Sequence, residues 1–226
     1  MNDVAVPLLS VVIPAHNGEA YIAAAVASVR AQNVPLQIIV VDDGSTDRTA
    51  AIVEEMGDVL LLRQVQGGIG AARNRGVQAA TGVYLAFLDA DDCWTPGKTA
   101  QQLRYLERHG TDMVFGHVEE FVDDPDDRSI PPARSARAGR LCGAMLIARA
   151  TFQRVGEFSR EWRVGEFVDW CLRAQDLGLT AGVVPDVVLR RRLHASNIGR
   201  TSPQSRGDFV RIIKDAMDRR QRRGVS

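Results

Sequence analysis

The chain predicts an α/β fold, a mostly parallel sheet flanked by helices with a smaller region following it. Two observations carry this. Short runs apolar on both faces alternate with helical patterns through the first half, and the polar clusters fall where those runs end. Open sheets of this kind bind ligands beyond the carboxyl ends of their strands.

The first predicted strand is Leu8 to Ile13. A helix follows from Glu19 to Gln32, with Ile22, Ala25, Val26 and Val29 at helical spacing on one face. Gln37 to Val41 is the second strand, closed by Asp42-Asp43-Gly44-Ser45-Thr46-Asp47. Ser45 or Thr46 can cap the next helix, and Asp47 suits its positive first turn. Val59 to Arg63 is the third strand. Gly67-Gly68-Ile69-Gly70 opens a helix through Ala80, and Val83 to Leu88 is the fourth strand.

A helix from Thr95 to His109 and a strand near Met113 to Phe121 come next. Glu119 to Asp127 then holds six carboxylates in nine residues, and Arg128 to Arg140 carries four arginines and two prolines. The segment near 122–140 therefore reads as a mobile surface loop, either a binding loop or a solvated connection. Leu141 to Ile147 predicts a strand, Thr151 to Val155 and Glu166 to Leu177 two helices, and Val183 to Arg191 a strand. A basic helix begins near Pro203; Arg211 to Arg223 has six basic and two acidic residues. This predicts a single domain over 1–226, with a ligand-binding half to about 110 and a second half after it.

Composition excludes several classes. A net charge of +0 argues against a nucleic-acid binder. Cys93, Cys142 and Cys171 are an odd number without metal-type spacing, which predicts a reduced, cytoplasmic setting. No apolar run approaches the roughly 20 residues of a membrane span. The basic tail predicts at most a weak peripheral contact with an anionic membrane.

Leu88-Asp89-Ala90-Asp91-Asp92 places carboxylates at the end of an apolar strand, where burial is costly without compensation. A hard divalent cation held by one or two carboxylates and substrate phosphates would supply it. Asp-x-Asp alone is a weak signal, since an acidic turn capping a helix has the same pattern. Asp92 could be such a cap, for the helix after Pro96. The second acidic turn at Asp42 and Asp43, on a neighbouring strand end, turns the balance toward a metal and a nucleotide.

Four segments in order are specific. Ser10-Val11-Val12-Ile13-Pro14-Ala15-His16-Asn17, Val40-Val41-Asp42-Asp43-Gly44-Ser45-Thr46-Asp47, Gly70-Ala71-Ala72-Arg73-Asn74-Arg75-Gly76 and Phe87-Leu88-Asp89-Ala90-Asp91-Asp92 resemble the family 2 glycosyltransferases of the GT-A fold. Val155-Gly156-Glu157-Phe158, Asp169-Trp170-Cys171-Leu172-Arg173 and Arg192-Leu193-His194-Ala195-Ser196-Asn197 look like that family's later segments. The resemblance implies inverting transfer from a nucleotide-sugar, most often a UDP-sugar, to a hydroxyl acceptor, with Mn²⁺ or Mg²⁺. It places Pro14, Ala15, His16 and Asn17 at the nucleoside, Asp43 on the uracil, Arg73 on the base or phosphates, and Asp89 on the ribose. It gives Asp91 the metal and sets His194 beside metal and diphosphate.

The chain departs from the pattern at the base. The resemblance implies a Glu-Asp pair before the Leu-Arg segment, and here the sequence reads Glu166-Phe167-Val168-Asp169. Glu166 could be the base, Asp169 could replace it one helical turn on, or the chain could bind donor without transferring well. Two other classes compete: a nicotinamide enzyme and a non-catalytic sugar-nucleotide-binding or partner-binding protein. Gly68-x-Gly70 suits the first, but Arg73 stands where a third Gly or Ala is wanted.

Overall fold

The computed structural model describes residues 8–124, 130, 132–194, 205–222 and 224. The α/β class read from the sequence is the class observed. The first half runs β1 (Leu9–Ala15), α1 (Ile22–Arg30), β2 (Leu36–Asp43), α2 (Thr49–Glu54), β3 (Val59–Gln64), α3 (Ile69–Ala79) and β4 (Tyr84–Phe87). The second half runs β5 (Cys93–Trp94), α4 (Lys98–His109), β6 (Met113–Phe121), β7 (Arg137–Gly139), a 3-10 turn (Cys142–Ala144), β8 (Leu146–Ala148), α5 (Arg149–Val155), α6 (Glu166–Asp176), β9 (Ala181–Arg192) and α7 (Ser205–Arg222).

Among the described residues these strands form one nine-stranded sheet, in the order β3-β2-β1-β4-β8-β6-β9-β5, with β7 paired to β6. The first four strands are parallel, with Val12 opposite both Ile39 and Phe87. β8 then runs antiparallel to β4 and β6, while β9 is parallel to β6. Every residue of β1 is buried, because helices cover both faces of the parallel half. α1 buries Ile22, Ala25, Val26 and Val29, the four that its spacing singles out. α3 lies so close to β1 that a Cβ on Gly76 would stand 2.3 Å from Val12 Cγ1.

An aromatic cluster ties the sheet to the second half. Phe87 meets Phe158 with ring centres 5.4 Å apart, and Phe152 stacks on Trp170 at 5.1 Å. Phe167 joins it beside Trp170, with parallel rings 6.2 Å apart.

Several second-half elements differ from expectation. Leu141 to Ile147 is not one strand; its first part is the 3-10 turn. Tertiary partners take the carbonyls of that turn: Trp94 Nε1 donates to Gly143 at 2.8 Å and Gln102 Nε2 to Ala144 at 2.8 Å. β5 occupies two residues just before the predicted helix of Thr95 to His109, which begins at Lys98. Of the segment near 122–140, residues 125–129 and 131 lie outside the described residues. Its returning part carries β7, drawn back to β6 where the Glu120 carboxylate meets Arg137 at 3.1 Å and Arg191 at 3.5 Å. Asp92 caps no helix: α4 starts from Gly97, and Asp92 Oδ1 accepts from the Arg192 backbone N–H at 2.8 Å.

Candidate active site

The parallel register brings the ends of β2, β1 and β4 side by side. Ala15 pairs with Asp42, and the Leu88 N–H donates to the Val12 carbonyl, so Asp43, His16 and Asp89 emerge on one edge. Gly18 lies against Ala90, where a Cβ would meet the Ala90 Cβ at 3.5 Å.

At the β2 end, Asp43 is buried and organises the loop into α3. Its carboxylate accepts from Gln64 Nε2 at 2.7 Å, Gly67 N at 2.7 Å and Gly68 N at 2.8 Å. Three donors offset the cost of burying the charge and leave it little freedom to turn. Pro14 and Ala15 are buried in β1, and His16 and Asn17 follow exposed. His16 Nδ1 is 2.9 Å from the Asp43 carbonyl, which can only accept, so Nδ1 carries the proton and Nε2 accepts from Gln66 Nε2 at 3.1 Å. Asn17 takes a left-handed turn, φ 51°, and its Oδ1 accepts from Thr46 N at 2.8 Å. Asp42 is a turn residue, accepting from Ser45 N at 3.1 Å. Asp47 accepts from Thr49 N at the start of α2 at 2.9 Å. Burial would raise the Asp47 carboxyl, but hydrogen bonds from Thr49 and the Glu19 N–H hold it below its ordinary value.

Arg73 joins the two halves. It is 2% exposed, donates to Asp89 Oδ1 at 2.7 Å, bonds Glu166 Oε1 across the sheet edge, and lies over the Phe158 ring at 5.7 Å. Burial alone would weaken its charge, yet the Asp89 and Glu166 carboxylates outweigh that and hold its pKa above the ordinary arginine value. Glu166 is the first residue of α6 and is itself buried. Its Oε2 has no hydrogen-bond partner among the described residues. Cys142 sits behind this group as a neutral thiol, its pKa pushed up first by burial.

Asp91 Oδ2 faces His194 Nε2 at 2.9 Å, the two side chains 29% and 15% exposed. Tyr21 lies against the His194 ring, tilted by 31° with ring centres 5.0 Å apart. Arg192 donates from Nε to the Asp91 carbonyl at 3.0 Å, pairs with Asp123, and lies between Tyr21 and Phe121, 4.9 and 4.6 Å from their ring centres. Neighbouring Asp92 is buried; that burial, then the Asp91 and Asp89 charges, push its carboxyl well above the ordinary range.

Asp169 lies one turn along α6 in different company. Its Oδ2 accepts from Arg173 Nε at 2.9 Å and its Oδ1 from Arg219 of α7 at 3.3 Å. Phe167 turns into the aromatic cluster, 6.3 Å from Phe115 and 6.4 Å from Phe158. Tyr21, Gln64, Gln66 and Cys142 belong to the site but were not singled out from sequence, because each is placed by a contact distant along the chain. Arg192 stood within the quoted Arg192-Leu193-His194 segment, where it carried a signal that went unused. Residues 195–204, including Ala195 to Asn197, lie outside the described residues.

The donor set around Asp91 fits a divalent ion. Adjacent nitrogen and oxygen ligands about 2.1 Å from one ion stand roughly 3 Å apart, close to the observed Asp91–His194 spacing. Among the described residues no group of three or more His, Cys, Asp and Glu converges. Asp91 and His194 would hold the ion, its remaining positions falling to phosphate oxygens and water.

The sequence and the fold are similar to those of known proteins. The family described as Glycosyl transferase family 2 matches residues 10–161, a stretch that stops short of α6. The uncharacterized glycosyltransferase RP339 of Rickettsia prowazekii is 38% identical over 214 residues, covering 87% of this chain and 67% of its own. The putative glycosyltransferase EpsH of Bacillus subtilis is 34% identical over 122 residues, 52% of this chain and 36% of its own. The chain thus spans between about a third and two thirds of the length of these two relatives. Among solved structures, S. aureus TarS 1-349 in complex with UDP-GlcNAc superposes with a TM-score of 0.74 at 22% identity, covering 92% of this chain and 65% of that one. The fold is therefore that of TarS, and the chain belongs to glycosyl transferase family 2.

Proposed function

We propose that the chain transfers a sugar from a nucleotide diphosphate donor, a UDP-sugar, to a hydroxyl acceptor with inversion at the anomeric carbon. The observation that carries this is Arg73, which holds Asp89 of the donor edge and Glu166 of the second half on one guanidinium. Structures of TarS with UDP and with UDP-GlcNAc support the choice of donor.

Pro14, Ala15, His16 and Asn17 line the nucleoside pocket, and Asp43 accepts from the uracil N3–H with the acceptor capacity its three donors leave. Asp89 takes the ribose, and Arg73 fixes Asp89 while lending positive charge near the phosphates. Asp91 and His194 would hold Mn²⁺ or Mg²⁺; the imidazole would suit Mn²⁺ better, since Mg²⁺ prefers oxygen ligands. When bound, the ion neutralises charge on the departing diphosphate.

Glu166 is the base. Its Oε1 is held by Arg73, and Oε2 takes the acceptor proton as the acceptor oxygen attacks the anomeric carbon and the carbon–oxygen bond to the diphosphate breaks. Asp169 is the poorer candidate, since both its oxygens are bound to arginines. Glu166→Gln should cut turnover by about 10²- to 10⁴-fold while leaving UDP binding intact. Turnover at the unaltered rate in that variant would refute the assignment.

Phe167 favours a second reading, in which the chain binds donor without transferring it. UDP-sugar binding with no UDP release across a broad acceptor panel would establish that reading. The three free cysteines support a reducing, cytoplasmic setting, and among the described residues no helix is long and apolar enough to cross a membrane. Contact of α7 with an anionic membrane is proposed only as weak. Arg211 lies over Trp162, while Arg219 and Arg220 pair with acids of α6, so these three are engaged within the chain.

A further inference from the structure

We infer that α7 is a positioning element for the proposed base, acting through Ile212 and Arg219 on the helix that carries Glu166. The inference rests on Glu166 being that base. Gly165 caps the start of α6, its φ of +95° lying in the left-handed region, and Glu166 is the first residue of the helix. α7 closes on this glycine. A Cβ there would stand 2.7 Å from Ile212 Cδ1 and 3.2 Å from Phe209, so α7 rests on bare backbone one residue before the carboxylate. Ile212 and Ala216 are buried in this contact surface.

Ionic contacts continue along α6. Arg219 reaches Asp169 at 3.3 Å and lies 3.7 Å from Asp176, and Arg220 bonds Asp176 at 2.7 Å. Just upstream of α6, the Arg211 guanidinium covers the Trp162 ring at 5.0 Å. The helix is therefore held at its start, one turn in, and at its end, three attachments that resist a tilt of its axis.

Glu166 is gripped from two sides. Arg73, on α3 of the donor half, fixes one carboxylate oxygen, and α7 fixes the backbone that presents the side chain. Arg73 alone would allow the carboxylate to swing about the bonded oxygen as α6 shifts. A displacement near 1 Å is enough to cost about 100-fold in rate. This also gives Asp169 a role: it is the α6 attachment point for Arg219, braced by Arg173 of its own helix. Acting through Glu166, α7 is a positioning element and not a catalytic one.

The test uses the whole chain. UDP release is followed with UDP-glucose, UDP-galactose and UDP-N-acetylglucosamine in the presence of a panel of mono- and disaccharide hydroxyl acceptors, and UDP affinity is read by calorimetry as the check on folding and on the first half of the chain. Ile212→Ala and Arg219→Gln should each lower kcat by about 10- to 100-fold with UDP affinity and donor KM unchanged. Arg219→Lys, which keeps a charge for Asp169, should fall between Arg219→Gln and the unaltered chain. In a Glu166→Gln background, Ile212→Ala should bring no further loss, because residues acting as one unit are not additive. Full kcat in a folded Ile212→Ala chain would overturn the inference. So would a loss in UDP affinity matching the loss in kcat, or an undiminished effect in the Glu166→Gln background. Failure of the transferase reading looks different: the unaltered chain would release no UDP from any donor, and both proposals would fall together.

Discussion

Two charged side chains set the character of the site, and both are buried. Asp43 uses its carboxylate to hold two N–H groups of the loop before α3 and the Gln64 side-chain amide at the end of β3, so it shapes the proposed nucleoside pocket as well as facing it. Asp43→Asn would set an amide N–H against at least one of those donors. It should cost about 1–3 kcal/mol of stability and weaken UDP binding, read by urea titration and calorimetry. Arg73 is the harder residue to remove. Arg73→Met strands the Glu166 carboxylate, 8% exposed, without its partner. A loss of about 3–5 kcal/mol in denaturant unfolding is expected, because a buried charge left unpaired is far more costly than the pair. A loss below 1 kcal/mol would mean that Glu166 finds water or another donor at once.

α6 and α4 show how an element's surroundings decide what a residue can do. Phe167 occupies the place where the family resemblance implies an aspartate, yet its ring packs among Phe115, Phe158 and Trp170. Phe167→Asp should therefore lower the melting temperature sharply, since it exchanges a buried ring for an unpaired buried carboxylate, and should not raise turnover. α4 carries Lys98, fully buried, 2.7 Å from Gln102 and 4.0 Å from the centre of the Trp94 ring. Burial pushes its pKa down to about 7 from 10.5. Between those values the unfolded chain binds more protons than the folded one, so stability rises with pH across that window. Below pH 7 the cost of burying the charge is present in full. Lys98→Met should stabilise the chain by about 3–5 kcal/mol at pH 6, with the gain shrinking toward pH 10. A gain independent of pH between 6 and 10 would show that the lysine is not held charged in a dry site.

At the scale of the molecule, the first half was legible because its strands are apolar on both faces and end in turns of fixed chemistry. β1, β2 and β4 emerge where those runs predict, and with them the edge that gathers His16, Asp43, Asp89 and Asp91. The second half was less legible for a physical reason. The 3-10 turn at Cys142–Ala144 exists because Trp94 and Gln102 take its carbonyls, and β7 because Glu120 gathers arginines from two strands. Neither leaves a local periodicity. The bond from Arg73 to Glu166 spans 93 residues and was equally invisible, although both residues were singled out separately.

The account depends most on the sheet edge holding a nucleoside diphosphate through Asp91, His194 and one divalent ion. UDP binding measured by thermal shift with and without Mn²⁺, in the unaltered chain and in Asp91→Asn, tests this directly, because a ligand of the folded state raises its apparent stability. The account predicts a large shift with UDP and Mn²⁺ together, a small one with UDP alone, and loss of the difference in Asp91→Asn. A UDP shift indifferent to Mn²⁺, or a metal-dependent shift undiminished in Asp91→Asn, would contradict it.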